Sequence, residues 1–169
     1  MEKQHSFLTT PSTKTHSLVI YIDGAARGNP GPAGAGIHIV LDDDKILNKG
    51  IYLGKKTNNQ AEYLALALAL LFAEKMCTEH HIKNPHLAVF SDSELLIKQM
   101  RGEYKVKNEI LARLKSCIDA SLEKFSYKFA HVRREKNTIA DSLANLGIDE
   151  KHKIPAPFIK HLSDAGLLI

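Results

Sequence analysis

A chain of 169 residues with 44% hydrophobic and 25% charged residues is long enough for one full-sized core and has the composition of an ordinary globular domain. Its 23 Lys and Arg against 19 Asp and Glu give a net charge of +4, a mild basic excess that suits a polyanionic partner. Cys77 and Cys117 lack metal-ligand spacing, the nine histidines form no H-E-x-x-H, and the longest apolar run, Leu64 to Ala73, is far too short for a bilayer, so the expectation is a cytoplasmic protein with no membrane partner.

Met1 to His16 is polar and Ser/Thr-rich, without an apolar core segment, and reads as a flexible N-terminal arm. Residues 17–148 then read as one catalytic-sized domain. Leu18 to Ile22 has the β-branched composition of a strand, which opens at Ser17 and ends near one acid, Asp23. A carboxylate at the end of a buried strand is costly unless a charge partner or a metal meets it. The loop that follows carries Gly24, Gly28, Gly31, Gly34 and Gly36, stiffened by Pro30 and Pro32. It reads either as a backbone-lined shelf for a nucleic-acid strand or as a hairpin with a Gly/Pro-rich turn. Ala35 to Leu41 and Ile46 to Leu53 read as two further strands, joined by the polar turn Asp42 to Lys45. Short connections make the three an antiparallel meander.

The period changes at Thr57. A helix from about Asn59 to Cys77 is rich in Ala and Leu and apolar nearly all round, with Thr57 and Gln60 at capping-box spacing and Glu62 as the one acid of its first turns. His86 to Ser91 reads as a buried strand ending in Asp92. Ser93 to Met100 is a short helix closed by Gly102, and a second helix runs from about Asn108 to Leu122. Phe125 to Val132 alternates as a strand does. Asn137 can cap a last helix with an apolar stripe of Ile139, Leu143 and Leu146 and Gly147 as its stop signal. The order predicts an α/β fold: a five-stranded mixed sheet, three strands antiparallel and then two parallel, with helices on both faces. Residues 149–169 form a C-terminal extension; Phe158, Ile159, Leu162 and Leu167 to Ile169 are apolar enough to dock, on the domain itself or on a second copy. The chain is read as a monomer, with a dimer through this extension as the alternative.

Four acids occupy similar places. Asp23 and Asp92 stand where strands give way, and Glu62 and Asp141 stand near helix starts. In an open α/β sheet such positions gather along one edge. Four gathered carboxylates repel, and divalent cations relieve that cost; Mg²⁺ takes hard oxygen ligands, and ion pairs stabilise phosphoryl displacement. Taken singly, Asp92 reads equally as a helix cap, Glu62 as a residue favoured by the helix dipole, and Asp141 as a solvated side chain.

The flanking residues sharpen the reading. The stretches DGAARGNPGPAGAG (Asp23 to Gly36), TNNQAEYLAL (Thr57 to Leu66), SDSEL (Ser91 to Leu95) and HVRREKNTIADSLA (His131 to Ala144) resemble, in order, the motifs of the type 1 ribonuclease H family. The resemblance implies a ribonuclease H-like fold and an endonuclease that hydrolyses the RNA strand of RNA–DNA hybrids with two Mg²⁺ ions, Mn²⁺ as substitute, leaving 5′-phosphate and 3′-hydroxyl ends. It assigns the metals to Asp23, Glu62, Asp92 and Asp141. It assigns the hybrid to Asn29, Thr57, Asn58 and Asn59; apart from the resemblance, Lys105 and Lys107 are cations on which affinity for the hybrid would lean. The family's assisting histidine corresponds to His131, ten positions before Asp141; Arg134 is the alternative for that role. Glu94 departs from the glutamine that many members carry, and no inserted basic helix lies between Met100 and Asn108. A hybrid-binding module that does not cut and an ATP-handling protein are the competing classes; the loop's lack of G-x-x-x-x-G-K-[ST] weakens the second.

Overall fold

The computed structural model describes residues 15–167; most of the N-terminal arm and the last two residues lie outside it. Three antiparallel strands come first, β1 (Ser17–Ala26), β2 (Gly31–Leu41) and β3 (Lys45–Lys56). Then follow α1 (Asn58–Glu79), β4 (His86–Ser91), α2 (Glu94–Met100), α3 (Glu109–Leu122), β5 (Ser126–His131), a 3-10 turn (Arg134–Lys136), α4 (Thr138–Glu150) and α5 (Ala156–Asp164). The sheet order is β3-β2-β1-β4-β5. β1 pairs antiparallel with β2 and parallel with β4, and β4 pairs parallel with β5. This is the mixed five-stranded sheet that the order of elements predicts. No helix among the described residues is long and apolar enough to cross a membrane.

Alternation along β1 buries Leu18, Ile20 and Ile22 on one face, with Ile37 and Ile39 of β2 and Leu87 and Val89 of β4 in the same core. α1 covers this face and buries fourteen residues, from Ala61 to Cys77. Thr57 caps it by a complete capping box: Gln60 N donates to Thr57 Oγ1 at 3.2 Å, and Thr57 N donates to Gln60 Oε1 at 2.9 Å. α2 is tied to α1 by Tyr63 Oη, which donates to the buried Gln99 Oε1 at 2.7 Å.

The first strand runs past Asp23 to Ala26, because β2 continues to pair with it: Asp23 faces Gly36, and Ala26 faces Ala33. Gly24, Gly34 and Gly36 serve helix packing and not a ligand shelf. A Cβ on Gly24 would collide with the α1 backbone at Ala61 and Glu62; one on Gly36 would collide with the Ala140 carbonyl, and one on Gly34 with that of Ala144. They are the places where two helices press backbone to backbone against the sheet. The remaining turn is Arg27 to Pro30, with Gly28 at φ 98°.

α4 also differs from its sequence stripe. Its buried face is Ala140, Ala144, Gly147 and Ile148, while Ile139 and Leu146 are exposed. Gly147 does not stop the helix, which runs on to Glu150; it meets the backbone of Ile51 in β3. Small residues face small residues, so Ile139 and Leu146 are turned outward.

The C-terminal segment lies along the outer strand. Tyr52 N of β3 donates to His152 O at 2.7 Å, Phe158 stacks edge-on against Phe72 of α1 at 4.6 Å, and Ile154, Leu162 and Leu167 are buried. At the other end, His16 is held to the domain: its carbonyl accepts from His86 N, and its ring nitrogen lies 2.6 Å from Asp42 Oδ2.

Candidate active site

The parallel register between β1 and β4 ends at Ile22 opposite Ser91, so Asp23 and Asp92 are the next residues on two neighbouring strands. Asp23 pairs with Gly36 and therefore shares the α4 face, whereas Gly24 beside it touches α1. The acid thus stands where the starts of both helices come together. Glu62 comes from the second turn of α1, and Asp141 from the first turn of α4.

Burial pushes the Asp23 carboxyl up to about 7, with the charges of Asp92, Asp141 and Glu62 raising it further and Arg134 opposing them. Burial likewise raises Glu62 to about 7, against a stabilising hydrogen bond from Ser93 and with the help of Asp92. Three of the four acids have a neutral or cationic partner. Ser93 Oγ donates to Glu62 Oε2 at 2.5 Å, Asn137 Nδ2 donates to Asp92 Oδ1 at 2.8 Å, and Arg134 Nη2 donates to Asp141 Oδ1 at 2.9 Å. Asp23 is the acid at the centre of their mutual field. Among the described residues no three His, Cys, Asp or Glu side chains already enclose a metal position. The donor set nonetheless fits Mg²⁺ or Mn²⁺: hard carboxylate oxygens on separate elements leave coordination positions for water and substrate, as these ions prefer.

Two positioning residues emerge; the sequence reads Asn137 as a helix cap and Ser93 as the first residue of a short helix. Asn137 is 1% exposed and makes no side-chain cap bond to α4. Its Nδ2 spends both donors on Ile22 O and Asp92 Oδ1, each at 2.8 Å, joining β1, the β4 end and the start of α4. Its Oδ1 is the one unpartnered buried side-chain polar atom among the described residues. Ser93 caps α2 through Leu96 N and at the same time holds Glu62. The cue for both was adjacency to an acid motif, which a capping rule alone does not weigh.

The other named residues separate into groups. Asn58 Oδ1 accepts from Ala26 N at 3.1 Å, and Asn29 Oδ1 accepts from Asn58 N at 3.1 Å, so these two amides clamp the β1–β2 turn to the start of α1. Asn59 and Thr57 lie beside them, Asn59 exposed. His131 is exposed at the end of β5, with Nε2 3.2 Å from the carbonyl of Asp92. Arg134 reaches an acid side chain directly. Glu94 pairs with Lys98 at 2.6 Å, which holds its carboxyl below the usual range. Lys105 and Lys107 are exposed on the 101–108 connection and contact none of the four acids.

A mixed sheet of this order, with carboxylates gathered where the parallel pairing of β1 stops, defines the ribonuclease H-like class of fold. The crystal structure of LC11-RNase H1 in complex with an RNA/DNA hybrid matches with a TM-score of 0.73 at 39% identity, over 79% of this chain and 98% of that one. The family model described as reverse transcriptase-like matches residues 21–147. A ribonuclease H of Alcanivorax borkumensis is 33% identical over 155 residues, 81% of this chain and 95% of its own length. The chain belongs to the type 1 ribonuclease H family. A bifunctional protein of Mycobacterium tuberculosis is 39% identical over 136 residues, of which this chain spans 35% of the relative's length.

Proposed function

We propose that this chain is a metal-dependent endoribonuclease that hydrolyses the RNA strand of RNA–DNA hybrids and leaves 5′-phosphate and 3′-hydroxyl ends. The observation that carries the reading is the convergence of Asp23, Asp92, Asp141 and Glu62 at one sheet edge, where burial first and the three neighbouring charges second raise Asp23 to about 7. Those four side chains would hold two Mg²⁺ ions, or Mn²⁺ in their place. What a bound pair supplies is activation of water and neutralisation of charge on the attacking and leaving oxygens. No nucleophilic side chain is then required, and the one hydroxyl among the acids, Ser93, is engaged with Glu62.

The chain's own residues do the positioning. Ser93 and Asn137 hold Glu62 and Asp92 in place before substrate arrives. Arg134 steadies Asp141 and is the better placed assisting group, since His131 is engaged with a backbone carbonyl. Asn29, Thr57, Asn58 and Asn59 form the polar platform at the start of α1, where amides and a hydroxyl can meet base edges, a ribose 2′-OH and phosphate. Lys105 and Lys107 add cations for the backbone.

Cleavage of an end-labelled hybrid with Mg²⁺, Mn²⁺ or EDTA, beside single-stranded RNA, duplex RNA and duplex DNA, tests the proposal. Metal-dependent cutting confined to the RNA strand of the hybrid is expected, and Asp23→Asn should lower it by at least about 10³-fold. Full activity in Asp23→Asn overturns the mechanism. Tight, salt-dependent binding with no turnover in either metal makes the chain a hybrid-binding module instead.

A further inference from the structure

The C-terminal segment lies beyond the family match, which ends at residue 147. It does more than cover the sheet edge. Two adjoining cavities flank the last residues of β3. One, about 350 Å³, is lined by Lys55, Lys56, Arg113, Leu114, Gly166 and Leu167. The other, about 420 Å³, is lined by Lys55, Lys56, Lys153, Ile154, Ile159 and Leu167. Lys55, Lys56 and Leu167 are common to both, so the two form one groove around the strand end.

The groove is cationic without compensation. No Asp, Glu or His is among the described residues that line it. Some cations elsewhere are matched with acids, Lys98 with Glu94, Lys115 with Asp119, Lys124 with Glu74 and Arg27 with Asp149; what sets the groove apart is that several cations line one cavity system with no acid in its walls. Lys55 and Lys56 of β3, Arg113 of α3 and Lys153 of the α4–α5 connection line the groove with no ion-pair partner among the described residues. Arrangement of unpaired cations costs free energy through repulsion unless a polyanion lies between them. The apolar floor, Leu114, Ile154 and Leu167, fixes the C-terminal segment so that Lys153 faces the same space as Lys55. The groove opens directly before Thr57, at the amino end of α1, whose dipole adds positive potential.

We infer that the C-terminal segment, with Lys55, Lys56 and Arg113, forms an accessory groove for the phosphodiester backbone of the bound nucleic acid, outside the cleavage site. This rests on the proposed function for its substrate. The groove takes phosphates and no base edges, so its contribution is to affinity and not to sequence preference. It supplies cations that the short 101–108 connection, with Arg101, Lys105 and Lys107, does not.

The test is the double variant Arg113→Gln with Lys153→Gln, both exposed and outside the acid cluster. Hybrid binding in EDTA is measured against salt, and KM and kcat are measured with Mg²⁺ on hybrids of about 8 and about 20 base pairs. The expected result is a salt slope smaller by about 1–2, since each lost phosphate contact removes about 0.9. KM for the longer hybrid should rise about tenfold with kcat unchanged, and Arg113→Lys with Lys153→Arg should restore both. Lys45→Gln with Lys83→Gln, placed away from the groove, should change nothing. A wild type that cuts hybrids and a double variant with unaltered slope and KM overturn the groove while the function stands. A reduced slope in the variant, from a wild type that cuts nothing, overturns the function while the groove stands.

Discussion

Asn137 shows how much one buried amide can hold together. Its two donors meet Ile22 O and Asp92 Oδ1, so truncation strands a backbone carbonyl and a carboxylate at once. Asn137→Ala should cost about 2–3 kcal/mol, read as a lower midpoint in urea unfolding, because buried acceptors lose their partners. It should also weaken activity about 10–100-fold through Asp92, as outer-shell changes at metal sites do. Loss of stability with full activity would assign Asn137 a purely structural role. Sequence reading saw Asn137 as a helix cap because capping statistics rest on local spacing. The bonds it makes span 45 and 115 residues, and no local rule reports those. The acids differ: each lies at a strand or helix boundary, and boundaries are legible from period changes.

At the scale of elements, β1 is legible in its β-branched run, β5 in its alternation, and α1 in its Ala and Leu content. What escaped was the close packing of α4. Gly34, Gly36 and Gly50 on the sheet face Ala140, Leu143 and Ala144 on the helix backbone, and the pattern of large apolar residues points the other way. A glycine in a strand weakens its propensity, so the β1–β2 region read as a loop. Tertiary contact reversed that, since only a surface without Cβ atoms lets the helix that carries Asp141 approach. Gly36→Ala should therefore lift α4 and cost about 3 kcal/mol or more, with activity falling in parallel. Ile139→Ser, on the exposed side of the same helix, should stay within about 0.5 kcal/mol of the parent in thermal unfolding. Equal effects from the two would contradict the assigned face.

For the molecule as a whole, the acid cluster sets a conflict between stability and charge. Asp23 and Glu62 have folded-state values near 7, raised chiefly by burial from ordinary values near 4. A raised carboxyl binds its proton more tightly in the folded chain than in the unfolded one, so its contribution to stability is fully present below about pH 4 and is lost as pH rises through about 7. In EDTA the Tm should accordingly fall between pH 5 and pH 8. Asp23→Asn removes the most frustrated charge and should raise the Tm at pH 8 by about 3–6 °C, equivalent to about 1–2 kcal/mol after allowance for solvent screening, with little change at pH 5. Mg²⁺ should produce a similar rise in the parent at pH 8: a hundredfold excess over the dissociation constant gives about 2.7 kcal/mol. It should do so weakly at pH 5, where protons already occupy the carboxyls, and weakly in Asp23→Asn, where the central ligand is gone. Calorimetry across this grid of pH, metal and variant separates a cation site from general ionic effects. A Tm that responds to Mg²⁺ equally in both proteins and at both pH values would place the ion elsewhere on the surface and leave the four acids without their proposed partner.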